Sequence, residues 1–177
     1  TKEISEKYTD NVISLNERNV SLARNAGAKI AHGDFLVFLD ADTLIGNTVI
    51  ENVCTILNKD EVFGTCKIKP ESKRMNDILY AYVKNSFNDY FRWSSGLIFC
   101  KKSSFNKIDG FDENKKTKGE LRDFLSRLNK ISKYKCVNLS YAVTSQRRIM
   151  KGGVIGAALY WIKEYTISDN EDYPAIR

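Results

Sequence analysis

The chain of 177 residues contains a single histidine, His32, and its four cysteines, at positions 54, 66, 100 and 136, form no Cys-x-x-Cys pair. A zinc framework and a dithiol redox motif both need such clusters, so neither organises this sequence. Unpaired cysteines at scattered spacing fit a reduced, cytosolic compartment. Long apolar runs are missing as well: none approaches the roughly 20 residues that cross a bilayer. The opening Thr1-Lys2-Glu3-Ile4 does not make a signal peptide. Any membrane contact is therefore expected to be peripheral, on the inner face. Internal repeats and low-complexity tracts are lacking. No strand interleaves aromatic and basic residues as RNA-binding sheets do, which argues against a nucleic-acid partner.

What is present is a composition 42% hydrophobic and 28% charged, the balance of one globular domain with a substantial core. The net charge of +6 suits an anionic partner such as a nucleotide diphosphate, a lipid phosphate or a membrane surface. The apolar pattern predicts an α/β alternation. A short strand is expected at 11–15 (N-V-I-S-L), a helix over 19–31 stopping at Gly33, and a strand at 35–39, where F-L-V-F-L runs unbroken up to Asp40. Such a run suits a central parallel strand covered on both faces.

Further along, a helix over 48–57, a strand over 62–68 ended by Pro70, a helix over 75–88, a strand over 95–100 and a short helix near 103–107 are expected. A turn at 109–113 and a Lys-Lys-Thr-Lys loop (115–118) precede a helix over 119–130 and two short strands, 135–139 and 142–144. Beyond Gln146 the chain opens basic (Arg147, Arg148, Lys151). It continues with Val154, Ile155, Ala158, Leu159 and Ile162 at helical spacing, Trp161 beside them. Two regions are thus expected: an α/β domain over 1–145 and a basic amphipathic tail over 146–177.

Strand 35–39 ends directly on Asp40-Ala41-Asp42. Open α/β sheets bind ligands at the carboxyl ends of their strands, and hard divalent cations prefer carboxylate and phosphate oxygens. Asp-x-Asp is common on solvated loops. At the end of a buried strand, however, one carboxylate can ligate a metal while the other orients sugar or ribose hydroxyls. Four segments in order, R-N-A-G (24–27), A-H-G-D-F-L-V-F-L-D-A-D (31–42), S-S-G-L-I-F-C (94–100) and I-D-G-F-D-E (108–113), resemble family 2 glycosyltransferases. The resemblance runs from about the first residue to near Ser145.

The resemblance implies a GT-A fold, an α/β three-layer sandwich with a mostly parallel central sheet. It further implies a UDP-, GDP- or dTDP-sugar donor, Mn2+ or Mg2+, inversion at the anomeric carbon, and a glycan or lipid-linked acceptor of the kind used in cell-envelope or glycan biosynthesis. Carried across by position, Asp40 contacts the nucleotide or sugar, Asp42 ligates the metal beside it, and Arg24, Asn25 and Gly27 lie near the donor. Inversion needs a base for the acceptor hydroxyl. The family keeps it in an acidic pair, usually Glu-Asp, at the start of the helix after the G-F-D-E turn.

Here that position reads Gly119-Glu120-Leu121-Arg122-Asp123. Glu120 is taken as the base and Asp123 as the alternative. Each has a plainer role open to it: Glu120 as an N-terminal helix acid favoured by the macrodipole, Asp123 as the i,i+4 partner of Arg127. Asp112 and Glu113 are expected beside the acceptor. Trp93 either stacks on a sugar or base or belongs to the core. Arg147 and Arg148 are expected to meet the leaving diphosphate or an acceptor phosphate. The tail stripe either docks on its own domain or lies in a membrane interface.

Two other readings stay open. A sugar-nucleotide nucleotidyltransferase shares the layout and the metal but uses a Gly-rich basic phosphate loop after its first strand. A sugar-nucleotide binding module without turnover is prompted by Leu121. Family members begin with a strand, a helix and a second strand ending in an acidic nucleotide-binding turn. The present chain is expected to start just after that turn, with an exposed sheet edge where those strands pair.

Overall fold

The computed structural model describes residues 2–92, 94, 96–115, 119–144, 153, 155, 156 and 159. Its elements run α1 (Lys2–Ser5), α2 (Val20–Ile30), β1 (Phe35–Leu39), β2 (Thr43–Ile45), α3 (Val49–Lys59), β3 (Val62–Ile68), α4 (Met75–Phe91), β4 (Leu97–Lys101), α5 (Lys102–Lys107), α6 (Glu120–Leu128) and β5 (Lys133–Thr144). Strand periodicity explains the layering, because successive side chains leave opposite faces of a sheet. In β1, Leu36 and Phe38 enter one apolar cluster and Phe35 and Val37 the other. β4 divides likewise, with Ile98 and Cys100 on one side and Leu97 and Phe99 on the other.

The first cluster is closed by Ala28 of α2, Phe105 of α5 and Phe124, Leu125 and Leu128 of α6. The second is closed by α3, whose Val49, Val53 and Leu57 recur at i, i+4 and i+8 and are completely buried. Each such side chain contributes roughly 1.5–3 kcal/mol by leaving water. Helices therefore cover both faces of one sheet, the expected three-layer α/β sandwich.

The sheet runs in the order β1-β4-β3-β5-β2. Only β3 and β5 are parallel neighbours; β1 with β4, β3 with β4, and β2 with β5 are antiparallel. The sheet is thus mixed rather than mostly parallel. The reason lies in the connection through α4, which returns the chain to β4 at the same end where β3 stopped and so forces β4 to run backwards. An unbroken apolar run records cover on both faces, not direction. Because β4 opposes both of its neighbours, β1, β3 and β5 point the same way and end together. β1, expected to be central, is the last strand on its side of the sheet among the described residues.

Three further expectations change. Residues 11–15 form no strand: Ile13 and Leu15 are exposed, and no described strand lies alongside to pair with them. The segment 43–45, for which no strand was expected, is β2, made a strand by pairing with Ala142, Val143 and Thr144. The two strands expected after residue 135 are one, β5, with a register shift where Cys66 faces Val137 and Lys67 faces Tyr141. Of the tail, Ile155 and Leu159 are helical and exposed. Among the described residues no helix is long and apolar enough to cross a membrane.

Candidate active site

Asp40 follows β1 at the end of the sheet where β1, β3 and β5 all terminate. Its N–H donates to the Gly96 carbonyl at 2.8 Å and its carbonyl accepts from Thr43 N–H at 3.0 Å, so the Asp-x-Asp segment is a tight turn fastened to the start of β4. Gly96 is required there. It sits at φ +81°, and a Cβ on it would lie 2.4 Å from Thr43 Oγ1. This accounts for the glycine of S-S-G by packing.

Helix α2 brings the second group. Asn19 caps it, accepting from Leu22 N–H at 3.0 Å and donating through Nδ2 to the Glu113 carbonyl at 2.8 Å. One turn on, Arg24 reaches two carboxylates from one guanidinium: Nη1 lies 3.1 Å from Glu120 Oε1 and Nη2 lies 3.3 Å from Asp40 Oδ1. Its charge also rests over the Phe111 ring, 5.1 Å from the centroid. The Arg24 and Glu120 side chains are only 17% and 13% exposed, whereas Asp40 is 50% exposed. The pair with Glu120 is therefore the sheltered one, and Asp40 is open to a ligand.

The third group is the turn after α5. Asn25 Nδ2 donates to the Phe111 carbonyl and to Glu113 Oε1, both at 2.9 Å, and Asn25 Oδ1 accepts from Phe111 N–H at 2.9 Å. Gly110, at φ +65°, lies so close that a Cβ would come within 2.7 Å of both Asn25 Oδ1 and the Phe105 ring. Phe111 stacks on Phe124 with centroids 3.8 Å apart and meets Phe38 edge-on at 5.3 Å, which ties the turn to α6 and β1. Arg127 braces it from α6, donating to the carbonyls of Ile108 and Gly110 and pairing with Asp123 Oδ2 at 2.6 Å.

A cleft of about 460 Å³ opens between these parts, lined by Asn25, Asp109, Asp112, Glu113, Asp123 and Arg127 among others. Arg24, Asp40 and Glu120 thus come together, with Asn25, Asp112, Glu113 and Asp123 around the adjoining cleft. Asp112 accepts from Asn114 N–H and Nδ2, both at 3.0 Å, within its own turn. Asp42 is exposed beside Asp40. Gly27 is exposed, and no atom lies within 4 Å of where its Cβ would be, so no described residue demands a glycine there. Leu121 packs against the core cluster of Phe111 and Phe124, which explains an apolar residue at the position of the expected second acid. Trp93, Arg147 and Arg148 lie outside the described residues.

Among the described residues no three His, Cys, Asp or Glu side chains converge on a point that could hold a metal. Burial pushes the thiols of Cys66, Cys100 and Cys136 up to about 11, 12 and 12, which favours their protonated form at neutral pH. The bracing role of Arg127 and the Arg24 bridge escaped sequence reasoning. The i,i+4 pair of Arg127 with Asp123 was among the expectations, but its bonds to the carbonyls of Ile108 and Gly110 were not; for Arg24, whose partners lie 16 and 96 residues away, there was no local signal.

A three-layer α/β sandwich built on this mixed sheet is a GT-A-type fold. The crystal structure of S. aureus TarS 1-349 has it too: the similarity covers 96% of this chain and 53% of that one, at a TM-score of 0.58 and 16% identity. Residues 1–124 match Glycosyl transferase family 2, and the chain belongs to that family. A further relative is the minor teichoic acid biosynthesis protein GgaB of Bacillus subtilis (strain 168), 38% identical over 60 residues, which are 33% of this chain and 7% of GgaB. The chain thus spans about half of the TarS chain and a small part of GgaB.

Proposed function

We propose that this chain is the catalytic part of a glycosyltransferase that moves a sugar from a nucleotide diphosphate to a hydroxyl of a glycan or lipid-linked acceptor, with inversion. The observation that carries this reading is the convergence of Arg24, Asp40 and Glu120 at the shared end of β1, β3 and β5 in a family 2 chain. The name of GgaB, a teichoic acid biosynthesis protein, points the acceptor toward cell-envelope polymers.

The carboxylates of Asp40 and Asp42 fit Mn2+ or Mg2+ as these ions bind beside a diphosphate, through one or two protein carboxylates with phosphate and water oxygens completing the shell. Two exposed carboxylates that no third His, Cys, Asp or Glu joins among the described residues are that kind of half-open set. When bound, the cation supplies positive charge against the departing diphosphate. The chain's own residues do the remainder. Glu120 accepts the proton of the acceptor hydroxyl as its oxygen attacks the anomeric carbon, and Arg24 fixes the orientation of that carboxylate relative to Asp40. Asp123 is engaged by Arg127 as Glu120 is by Arg24; Glu120 is taken as the base because its arginine also meets Asp40, and Asp123, which lines the cleft, is the alternative.

The test is a thermal-shift screen of UDP-, GDP- and dTDP-sugars with and without Mn2+, followed by donor hydrolysis and transfer assays on the full-length protein. One donor class is expected to raise Tm only with the metal, and Asp42→Ala to abolish that shift without altering the circular dichroism spectrum. Unchanged metal-dependent affinity in Asp42→Ala would sink the assignment. Donor binding with neither hydrolysis nor transfer would make the protein a sugar-nucleotide binding module instead.

A further inference from the structure

Helix α4 is amphipathic in the reverse sense. The side it turns to the protein buries Tyr80, Ala81, Lys84 and Asn88, two of them polar. Its outward side carries Met75 at 76% exposure, Tyr82 at 72% and Tyr90 at 81%, with Ile78 and Leu79 also exposed. At helical periodicity Met75, Ile78, Leu79 and Tyr82 fall in one patch about 100° wide and about 10 Å long, and Tyr90 lies on the same side two turns further on, beyond exposed Ser86 and Asp89. Polar contacts hold the helix in place. Asn85 exchanges two hydrogen bonds with the backbone of Ile68, at 2.9 and 3.0 Å, and Lys67 pairs with Asp89 at 3.5 Å. Arg92, in the left-handed conformation that ends α4, reaches Asn129 at 2.6 Å. The apolar stripe is therefore presented by a fixed element, and contiguous exposed apolar surface of this kind marks a contact face.

Position and charge identify what it contacts. Because α4 connects the end of β3 to the start of β4, it lies at the end of the sheet that carries Asp40. Lys69, Lys73 and Arg74, just ahead of the helix, are exposed and outnumber Glu71, the one acidic residue among 69–74. We propose that this stripe docks in the interface of an anionic bilayer. Met75, Ile78 and Leu79 enter below the headgroups, the amphipathic rings of Tyr82 and Tyr90 lie at the boundary, and Lys69, Lys73 and Arg74 meet lipid phosphates. Docked so, the catalytic end of the sheet faces the lipid surface. The inference stands apart from the donor chemistry, since it is read without nucleotide or metal.

Co-sedimentation of the full chain with vesicles of phosphatidylglycerol and phosphatidylcholine, against phosphatidylcholine alone, tests it. Binding is expected to the anionic vesicles and to weaken as salt rises. The exposed-surface variant Met75→Ser/Leu79→Ser/Tyr82→Ser is expected to keep the wild-type circular dichroism spectrum and bind at least about tenfold more weakly. A second variant, Lys73→Glu/Arg74→Glu, leaves the stripe intact and is expected to lose the preference for anionic over neutral vesicles. Absence of vesicle binding, or wild-type binding by both variants, overturns the proposal. So does self-association of the wild type in analytical ultracentrifugation that the stripe variant abolishes, which would assign the stripe to a second copy of the chain.

Discussion

Asn25 and Phe111 exchange two hydrogen bonds across 86 residues of sequence, the amide nitrogen donating to the Phe111 carbonyl and the amide oxygen accepting from the Phe111 N–H, each at 2.9 Å. The asparagine side chain acts as a strand-like partner for a turn that has no strand beside it. Because both of its ends are used, neither a hydrocarbon nor a carboxylate reproduces it. Asn25→Ala is expected to cost about 2–3 kcal/mol, since Phe111, almost fully buried, keeps an N–H and a carbonyl without their partners. Asn25→Asp is expected to be no better, because it loses both donated bonds and sets a carboxylate against Glu113, which Asn25 now contacts at 2.9 Å. Urea denaturation of the two variants checks this; wild-type stability in either would remove the clamp.

How much of this was legible beforehand depended on whether the signal was local. F-L-V-F-L marked β1 to the residue, β3 fell on its expected bounds, and α2 fell within the 19–31 expected from apolar spacing, because such spacing is a property of adjacent turns. Strand direction was not legible, because Phe35–Leu39 is equally apolar whichever way its neighbour runs. β2 was missed since Thr43-Leu44-Ile45 becomes a strand only through β5, about a hundred residues later. In the site, the motifs located Asp40 and Glu120, but the guanidinium joining them belongs to a third segment. No spacing rule links residues 24, 40 and 120.

That guanidinium leads to the second prediction. Arg24 serves Asp40 and Glu120 with different nitrogens while lying over Phe111, a task that needs a planar fork. Lysine offers one compact ammonium and can meet only one of the carboxylates at a time. Arg24→Lys in the full-length protein is therefore expected to fold normally and to lose about tenfold to a hundredfold in kcat/KM through misplacement of the base. Wild-type kcat/KM in Arg24→Lys would show that the bridge does not position Glu120.

A pH effect is expected at the far end of the sheet. The Ser104 hydroxyl donates to Glu61, and Lys101 lies 3.2 Å away; together they hold the Glu61 pKa below its ordinary 4.5. A depressed carboxylate pKa adds stability above the unfolded-state value, and that stability is lost as pH falls through it toward the folded value. Glu61 is well exposed, so the Coulombic part is screened and stays below about 1 kcal/mol. Urea midpoints of wild type and Ser104→Ala should differ most near neutral pH and converge as the pH drops below about 4. A gap constant with pH would mean that buried Ser104 acts by packing alone.

The two acids at the start of α6 separate by what already holds them. Asp123 accepts from Arg127 Nε at 2.8 Å, and the same arginine carries the carbonyls of Ile108 and Gly110, so Asp123 belongs to the brace of the turn. Glu120 faces Arg24 and, through it, Asp40, and no turn depends on it. Glu120→Gln removes the proton acceptor but keeps an oxygen for Arg24, and is expected to lower kcat by about 10²- to 10⁴-fold while the circular dichroism spectrum stays that of the wild type. Asp123→Asn is expected to do the reverse, keeping kcat within a few fold while lowering Tm, because a charged hydrogen bond to a partly buried arginine is worth about 1.5–3 kcal/mol. Measured side by side in the full-length protein, the pair is decisive in both directions. If Asp123→Asn loses turnover without losing stability while Glu120→Gln stays active, the base sits one helical turn further along than proposed, and Glu120 is no more than the acid that keeps Arg24 in place.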